Sequence, residues 1–219
     1  MFLKKEVVGI LSRDSMICYN WLTNVLRRSP VVKAVHPIYI SSNDSLEYRD
    51  KINKCTLAII YHTTNRGRVN VTNVTDSLYD EQIEYLHVKI GKDNVIVVVD
   101  NLQDSSDQKK EKILKDQPRI KELTRDLFLF EETNERIENM GDDANVPLIH
   151  SDNLEGILRI IQARHRRLLW RMVIYMLVIA TFFVLFFLIL AVVEKIFLMK
   201  HKNSTLTTTP TPGNVTLHP

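Results

Sequence analysis

Apolar residues follow two different rhythms along the chain. Short runs rich in aliphatic and aromatic residues, "EVVGILS" (6–12), "VVKAVHPIYIS" (31–41), "TLAIIYH" (56–62), "NVIVVVDNL" (94–102) and "DLFLF" (126–130), read as five strands. The run 94–102 is continuous rather than alternating, the pattern of a central parallel strand covered on both faces. Runs 6–12 and 56–62 join it at the centre of the expected sheet. Pro37 lacks a backbone donor and argues for an edge strand or a break within 31–41.

Between these runs the period becomes helical. "SMICYNWLTNVLRR" (15–28) brings Ile17, Trp21 and Val25 to one face, and "LYDEQIEYLHVKIG" (78–91) aligns Ile83, Leu86 and Ile90 before stopping at Gly91. "SLEYRDKINK" (45–54) reads as a short helix capped by Asp44 or Ser45, and "SSDQKKEKILKDQ" (105–117) as one that Pro118 breaks or restarts. The polar stretch 131–147 reads as loop with a fragment of helix. "SDNLEGILRIIQARHRRLLW" (151–170) forms a last amphipathic helix.

Strands alternating with helices predict an α/β fold: three layers, doubly wound, with a mostly parallel five-stranded sheet of flavodoxin-like or Rossmann-like type. The expected strand order is 2-1-3-4-5, which leaves Pro37 on an edge.

The chain then changes character. "MVIYMLVIATFFVLFFLILAVV" (172–193) carries no charge, and about 22 helical residues span roughly 33 Å, enough for one transmembrane helix. Arg164, Arg166, Arg167 and Arg171 precede it, with Trp170 at interface depth; Lys195, Lys200 and Lys202 follow, offset by Glu194. That bias favours a cytosolic N-terminal side. The N-terminal "MFLKKEVVGILSRDS" does not read as a secretory signal. The expected organisation is a cytosolic α/β domain (1–162), a basic juxtamembrane segment (163–171), the membrane helix (172–193) and a short tail (194–219) that is lumenal or extracellular. A chain so arranged is single-pass and tail-anchored, in the endoplasmic reticulum, Golgi or plasma membrane.

Glycosylation acceptors sharpen this topology. The Thr/Pro-rich tail carries Asn203 and Asn214, in a composition typical of O-glycosylated stalks. Two more, Asn70-Val71-Thr72 and Asn73-Val74-Thr75, lie in the domain and are expected to stay unmodified in the cytosol.

Charge and motifs exclude more chemistry than they suggest. A net charge of +3, with no basic stripe carrying interleaved aromatics, gives no case for nucleic acid. Cys18 and Cys55 sit among apolar residues and read as buried thiols; no paired Cys/His spacing points to a metal. GxGxxG, GxxxxGK[ST] and GxSxG are all absent, so no cofactor is expected. The layout resembles TIR domains and response-regulator receivers in architecture alone. A receiver would place an acceptor aspartate after the third strand, where His62 stands here.

In open parallel sheets, ligands bind beyond the carboxyl ends of the strands. There Arg13, Ser15, His62, Arg66 and Arg68 could converge as an anion or partner site, against a reading in which Asp14 and Ser15 simply cap a helix. Glu81 and Glu84 are the nearest candidates for a carboxylate-based chemistry, although Ser12 and Ser15 have no assigned base. The connection 64–77 is long for a βα loop and carries two arginines, the mark of a binding loop, an added strand or an arm. The function expected is a non-enzymatic interaction module, adaptor or signalling in type, with the lipid bilayer and a cytosolic protein as partners. The alternative is a membrane-anchored enzyme acting on a nucleotide or phosphorylated small molecule.

Overall fold

A computed structural model describes residues 5–41, 47–132 and 152–205. Five strands, β1 (Glu6–Ser12), β2 (Val32–Tyr39), β3 (Leu57–Thr63), β4 (Val95–Leu102) and β5 (Asp126–Glu131), form one sheet in the order β2-β1-β3-β4-β5. Every neighbouring pair is parallel. The helices are α1 (Met16–Arg28), α2 (Glu47–Ile52), α3 (Asp80–Ile90), α4 (Asp107–Asp116), α5 (Pro118–Leu123) and α6 (Asp152–Thr205). Pro37 lies on the edge strand opposite Ile10, where a missing donor breaks no inner ladder.

The two faces of the sheet carry separate cores. Val8, Ile10, Ile59, Val98 and Phe130 pack under α1 and the first turns of α6, whose Leu154, Ile157 and Ile161 are buried. Leu11, Ile60, Val97, Val99 and Leu129 pack under α2 to α5, with Tyr79, Ile83, Leu86, Ile113 and Ile120. All seven residues of β3 are buried, which is why its sequence does not alternate.

Local signals account for most boundaries. Ser15 Oγ accepts from Ile17 N–H at 3.4 Å to cap α1, and Ser106 Oγ accepts from Lys109 N–H at 3.3 Å to cap α4. Pro118 occupies the first turn of α5, where its missing donor is harmless. Gly91 ends α3 at φ 83°, its N–H donating to the His87 carbonyl at 3.0 Å. One helix face departs from its pattern. Ile17 is 68% exposed, and the buried stripe of α1 runs through Tyr19, Leu22 and Leu26 with Trp21 beside it. Of the expected face, Trp21 is buried and Val25 half-buried against the core, while Ile17 turns to solvent. The stretch 133–151, with most of the expected polar loop, lies outside the described residues, as do Asp44 and Ser45.

The chain divides into two compact units, Met1–Arg167 and Leu168–Pro219. In the first, Arg164 closes the sheet at its amino edge. Its Nε donates to Glu6 Oε2 at 2.9 Å, Thr56 Oγ1 donates to the same oxygen at 2.5 Å, and Nη1 donates to Asn94 Oδ1. Glu6 is 1% exposed, so this is a buried ion pair. In the second unit, the apolar residues from Val173 to Val193 are exposed. Among the described residues one helix is long and apolar enough to cross a membrane, and none of its apolar window is buried in protein.

Candidate functional site

The carboxyl ends of β1 and β3 are wired together by their own side chains. Ser12 Oγ donates to the Tyr61 carbonyl at 2.8 Å and accepts from Asp14 N–H at 2.9 Å. Asp14 Oδ2 then accepts from Thr63 N–H at 2.9 Å, clamping the β1–α1 turn onto the end of β3. Tyr79 reaches in from the start of α3. Its hydroxyl donates to the Tyr61 carbonyl at 3.1 Å and accepts from Arg13 N–H at 3.2 Å.

The residues singled out by sequence fall around this knot. Arg13 Nε donates to the Leu78 carbonyl at 2.9 Å. His62 is fully buried, with Nε2 3.0 Å from the Arg68 carbonyl and its ring edge-on to Tyr79 at 6.0 Å. Arg68 Nη2 donates to the Thr75 carbonyl at 2.6 Å and meets Asp76 at 3.3 Å, while its side chain stays 57% exposed. Arg13, His62 and Arg68 are thus linked through Tyr79 and the loop 68–79. Ser15 stands apart as the α1 cap. The side chains of Arg66 and Asn203, and all of Asn214, lie outside the described residues.

Behind the knot lies a cluster that no motif announces. Trp21 Nε1 donates to Asp100 Oδ2 at 3.0 Å; the Tyr61 hydroxyl contacts the same carboxylate and donates to the Cys18 carbonyl at 2.7 Å. Asp100 is 5% exposed, and the Trp21 indole N–H on Oδ2 with the Asn101 N–H on Oδ1 replaces the water it has lost. That requirement turns Trp21 inward on α1. A tyrosine within the aliphatic run of β3 was the available signal, because a buried hydroxyl needs a partner. Cys55 is buried, and desolvation pushes its thiol up to about 11, so it is neutral and unreactive near neutral pH.

The loop 64–77 forms neither a strand nor a free arm. It opens with a 3-10 turn at Thr64–Arg66 and is then held by a residue far away in sequence. Gln117, 3% exposed, accepts from Val71 N–H and Thr72 N–H, each at 3.0 Å, and donates to the Val69 carbonyl at 2.9 Å. The side-chain amide thereby supplies the pairing a neighbouring strand would give. Asp80 gathers the far end, accepting from Thr72, Ser77 and Asn73 N–H. Glu84 pairs with Arg119, and Glu81 is exposed on the first turn of α3.

Asp80 gives the loop a pH dependence. Burial alone would raise its pKa, but hydrogen bonds from Ser77, Thr72 and Asn73 N–H, with the charge of Arg119, outweigh that and hold it below the ordinary value. A folded pKa below the unfolded one stabilises the structure above the unfolded value, about 4, and that stabilisation is lost as pH falls through the folded pKa. Amide exchange of residues 71–77 should therefore accelerate below about pH 4. In Asp80→Asn it should already be fast at neutral pH.

Beside the knot, at the ends of β3 and β4, the surface opens into a groove of about 610 Å³. Thr64, Arg68, Asn101 and Asp104 line it together with Lys109 and Lys112 of α4. Asn101 sits at φ 64°, where the β4–β5 register shifts, and its backbone N–H donates to Asp100 Oδ1 at 2.7 Å. Among the described residues no cluster of His, Cys, Asp and Glu could hold a metal ion. No protein-family model, curated protein or solved structure matches this chain.

Proposed function

We propose that this chain is a single-pass, tail-anchored membrane protein that presents its α/β domain to the cytosol as a non-enzymatic interaction module of adaptor or signalling type. The observation that carries the reading is the loop 64–77: long, yet pinned by Gln117 and Asp80 with Arg68 at its rim. A preordered loop loses little entropy on binding, and guanidinium groups fix the geometry of an acidic partner. The switch point beside it is occupied by the protein's own hydrogen bonds, which supports a binding surface over a reaction cleft.

Asn70 supports the cytosolic side. It is 9% exposed, and its Nδ2, the atom a glycan would occupy, donates to the Asp76 carbonyl at 2.8 Å. A glycan on Asn70 would have to be accommodated at a side chain the loop now covers. Arg66→Ala with Arg68→Ala should change stability by no more than about 0.5 kcal/mol, the usual range for surface positions such as the 57% exposed Arg68. The pair should remove proteins recovered by proximity labelling from the membrane-bound chain; an unchanged set of partners would end the recognition role.

The groove favours a second reading, an enzyme acting on a nucleotide or phosphorylated small molecule, because Arg68, Lys109 and Lys112 border it. A nucleotide at 100 times its Kd would add about 2.7 kcal/mol to the detergent-solubilised chain. No thermal shift across the nucleotides favours the interaction module.

A further inference from the structure

Because the sheet is wholly parallel, the helices that lead into strands end at one edge, the amino edge. That edge is basic. Arg27 and Arg28 close α1, Lys89 lies in the last turn of α3, and Lys54 and Lys92 stand in the turns entering β3 and β4; all five are exposed. Exposed acids at the same edge are fewer, Asp50, Asp93 and Glu122, while Glu6 is engaged by Arg164 and Asp126 by Lys110 at 2.7 Å. The carboxyl edge is mixed, with Asp76, Asp104, Asp107, Glu131 and Glu132 exposed beside Arg68 and Lys112. Helix dipoles favour cations in last turns, but Lys54 and Lys92 lie beyond the α-helices, so dipole pairing does not account for the whole face.

The chain leaves the domain from this same edge. Arg164 is fixed there by Glu6 and Asn94, and the uncharged stretch begins at Met172. The roughly eight residues between them reach no further than about 29 Å even when fully extended. Resting on the membrane anchor proposed above, we infer that the basic amino edge docks on the anionic phospholipid headgroups of the membrane that anchors the chain. A bilayer surface rich in anionic lipid attracts such a face within a Debye length, and the tether keeps the face near it. The carboxyl edge, with the loop 64–77 and the groove, is then presented away from the lipid to soluble partners. Anionic lipid acts as an orienting ligand for the module.

The full-length chain tests this after insertion into preformed vesicles of phosphatidylcholine, with or without phosphatidylserine. A fluorescent non-canonical residue replaces Asn53, at the basic edge, or Gln103, beyond β4; both positions are exposed. A quencher carried on the lipid headgroup should quench position 53 more than position 103 in phosphatidylserine vesicles. That difference should shrink in phosphatidylcholine alone, at about 1 M salt, where the Debye length is about 3 Å, and in Arg27→Glu/Arg28→Glu/Lys54→Glu/Lys89→Glu. Salt acts on the unaltered chain, so the test does not depend on the charge-reversed variant folding. Equal quenching of both positions in carbonate-resistant protein, or a difference indifferent to phosphatidylserine and salt, overturns the docking and leaves the anchor standing. Release of the chain by carbonate overturns the anchor and the docking together.

Discussion

Val97→Asp leaves no folded domain. Val97 is fully buried in β4, opposite Ile60 of β3 and Leu127 of β5, so neither face nor edge of the strand offers water. The core on its face of the sheet is built of apolar side chains, Leu11, Ile60, Val99 and Leu129 among them. An unpaired carboxylate placed there costs several kcal/mol, against a total stability for such domains of about 5–15 kcal/mol. Protonation would relieve the charge but leave a polar group without its hydrogen bonds. The expected result is loss of the cooperative melting transition and rapid proteolysis of the domain in membranes. A variant that melts at the temperature of the parent would remove β4 from the centre of the sheet.

Arg164→Ala should cost about 3–5 kcal/mol, the usual consequence of stranding one member of a buried ion pair. Glu6 is 1% exposed, and its remaining partner on Oε2 is the Thr56 hydroxyl. The effect is larger than expected for an arginine beside a membrane segment, where solvated positive charge contributes little to folding. Replacing both residues, Glu6→Leu with Arg164→Leu, should recover most of the loss, because the stranded charge disappears with its partner. Equal destabilisation in the single and double variants would show that the pair acts through packing alone.

The contrast between these two residues shows what the sequence made readable. Val97 belongs to a run of five aliphatic residues, and burial on both faces of a parallel strand leaves that mark directly in the chain. Apolar runs also marked β1, β3 and β5, whereas β2, whose burial alternates, was marked by its β-branched residues, and Pro37 was consistent with its edge position. Arg164 belongs to a cluster of like charges, and nothing local separates the one that pairs with Glu6 from its neighbours. The partner is at the other end of the chain. Ile17 shows the same limit on a helix, since its spacing with Trp21 and Val25 is helical but the buried Asp100 decides which face turns inward.

The candidate site follows this division. Its position at the carboxyl ends of β1 and β3 was legible from the α/β alternation alone. The way it is filled was not, because Tyr79, Gln117 and Asp100 act through contacts across the fold. A glutamine before a proline, as in Gln117-Pro118, carries no signature of a side chain that substitutes for a β-strand neighbour.

The central claim is that this domain stands in the cytosol, and the pattern of N-glycans on the full-length chain tests it most directly. Expressed in a secretory-competent cell and treated with an endoglycosidase, the protein should lose mass only through its tail acceptors. Asn203→Gln with Asn214→Gln should abolish the shift, while Asn70→Gln with Asn73→Gln should leave it intact. In the domain, Asn70 is 9% exposed with its Nδ2 donating to the Asp76 carbonyl at 2.8 Å, while Asn73 is exposed, so Asn73 is the more sensitive reporter of the two. A shift that disappears with Asn70 or Asn73 and persists without the tail acceptors would place the domain in the lumen and contradict the account.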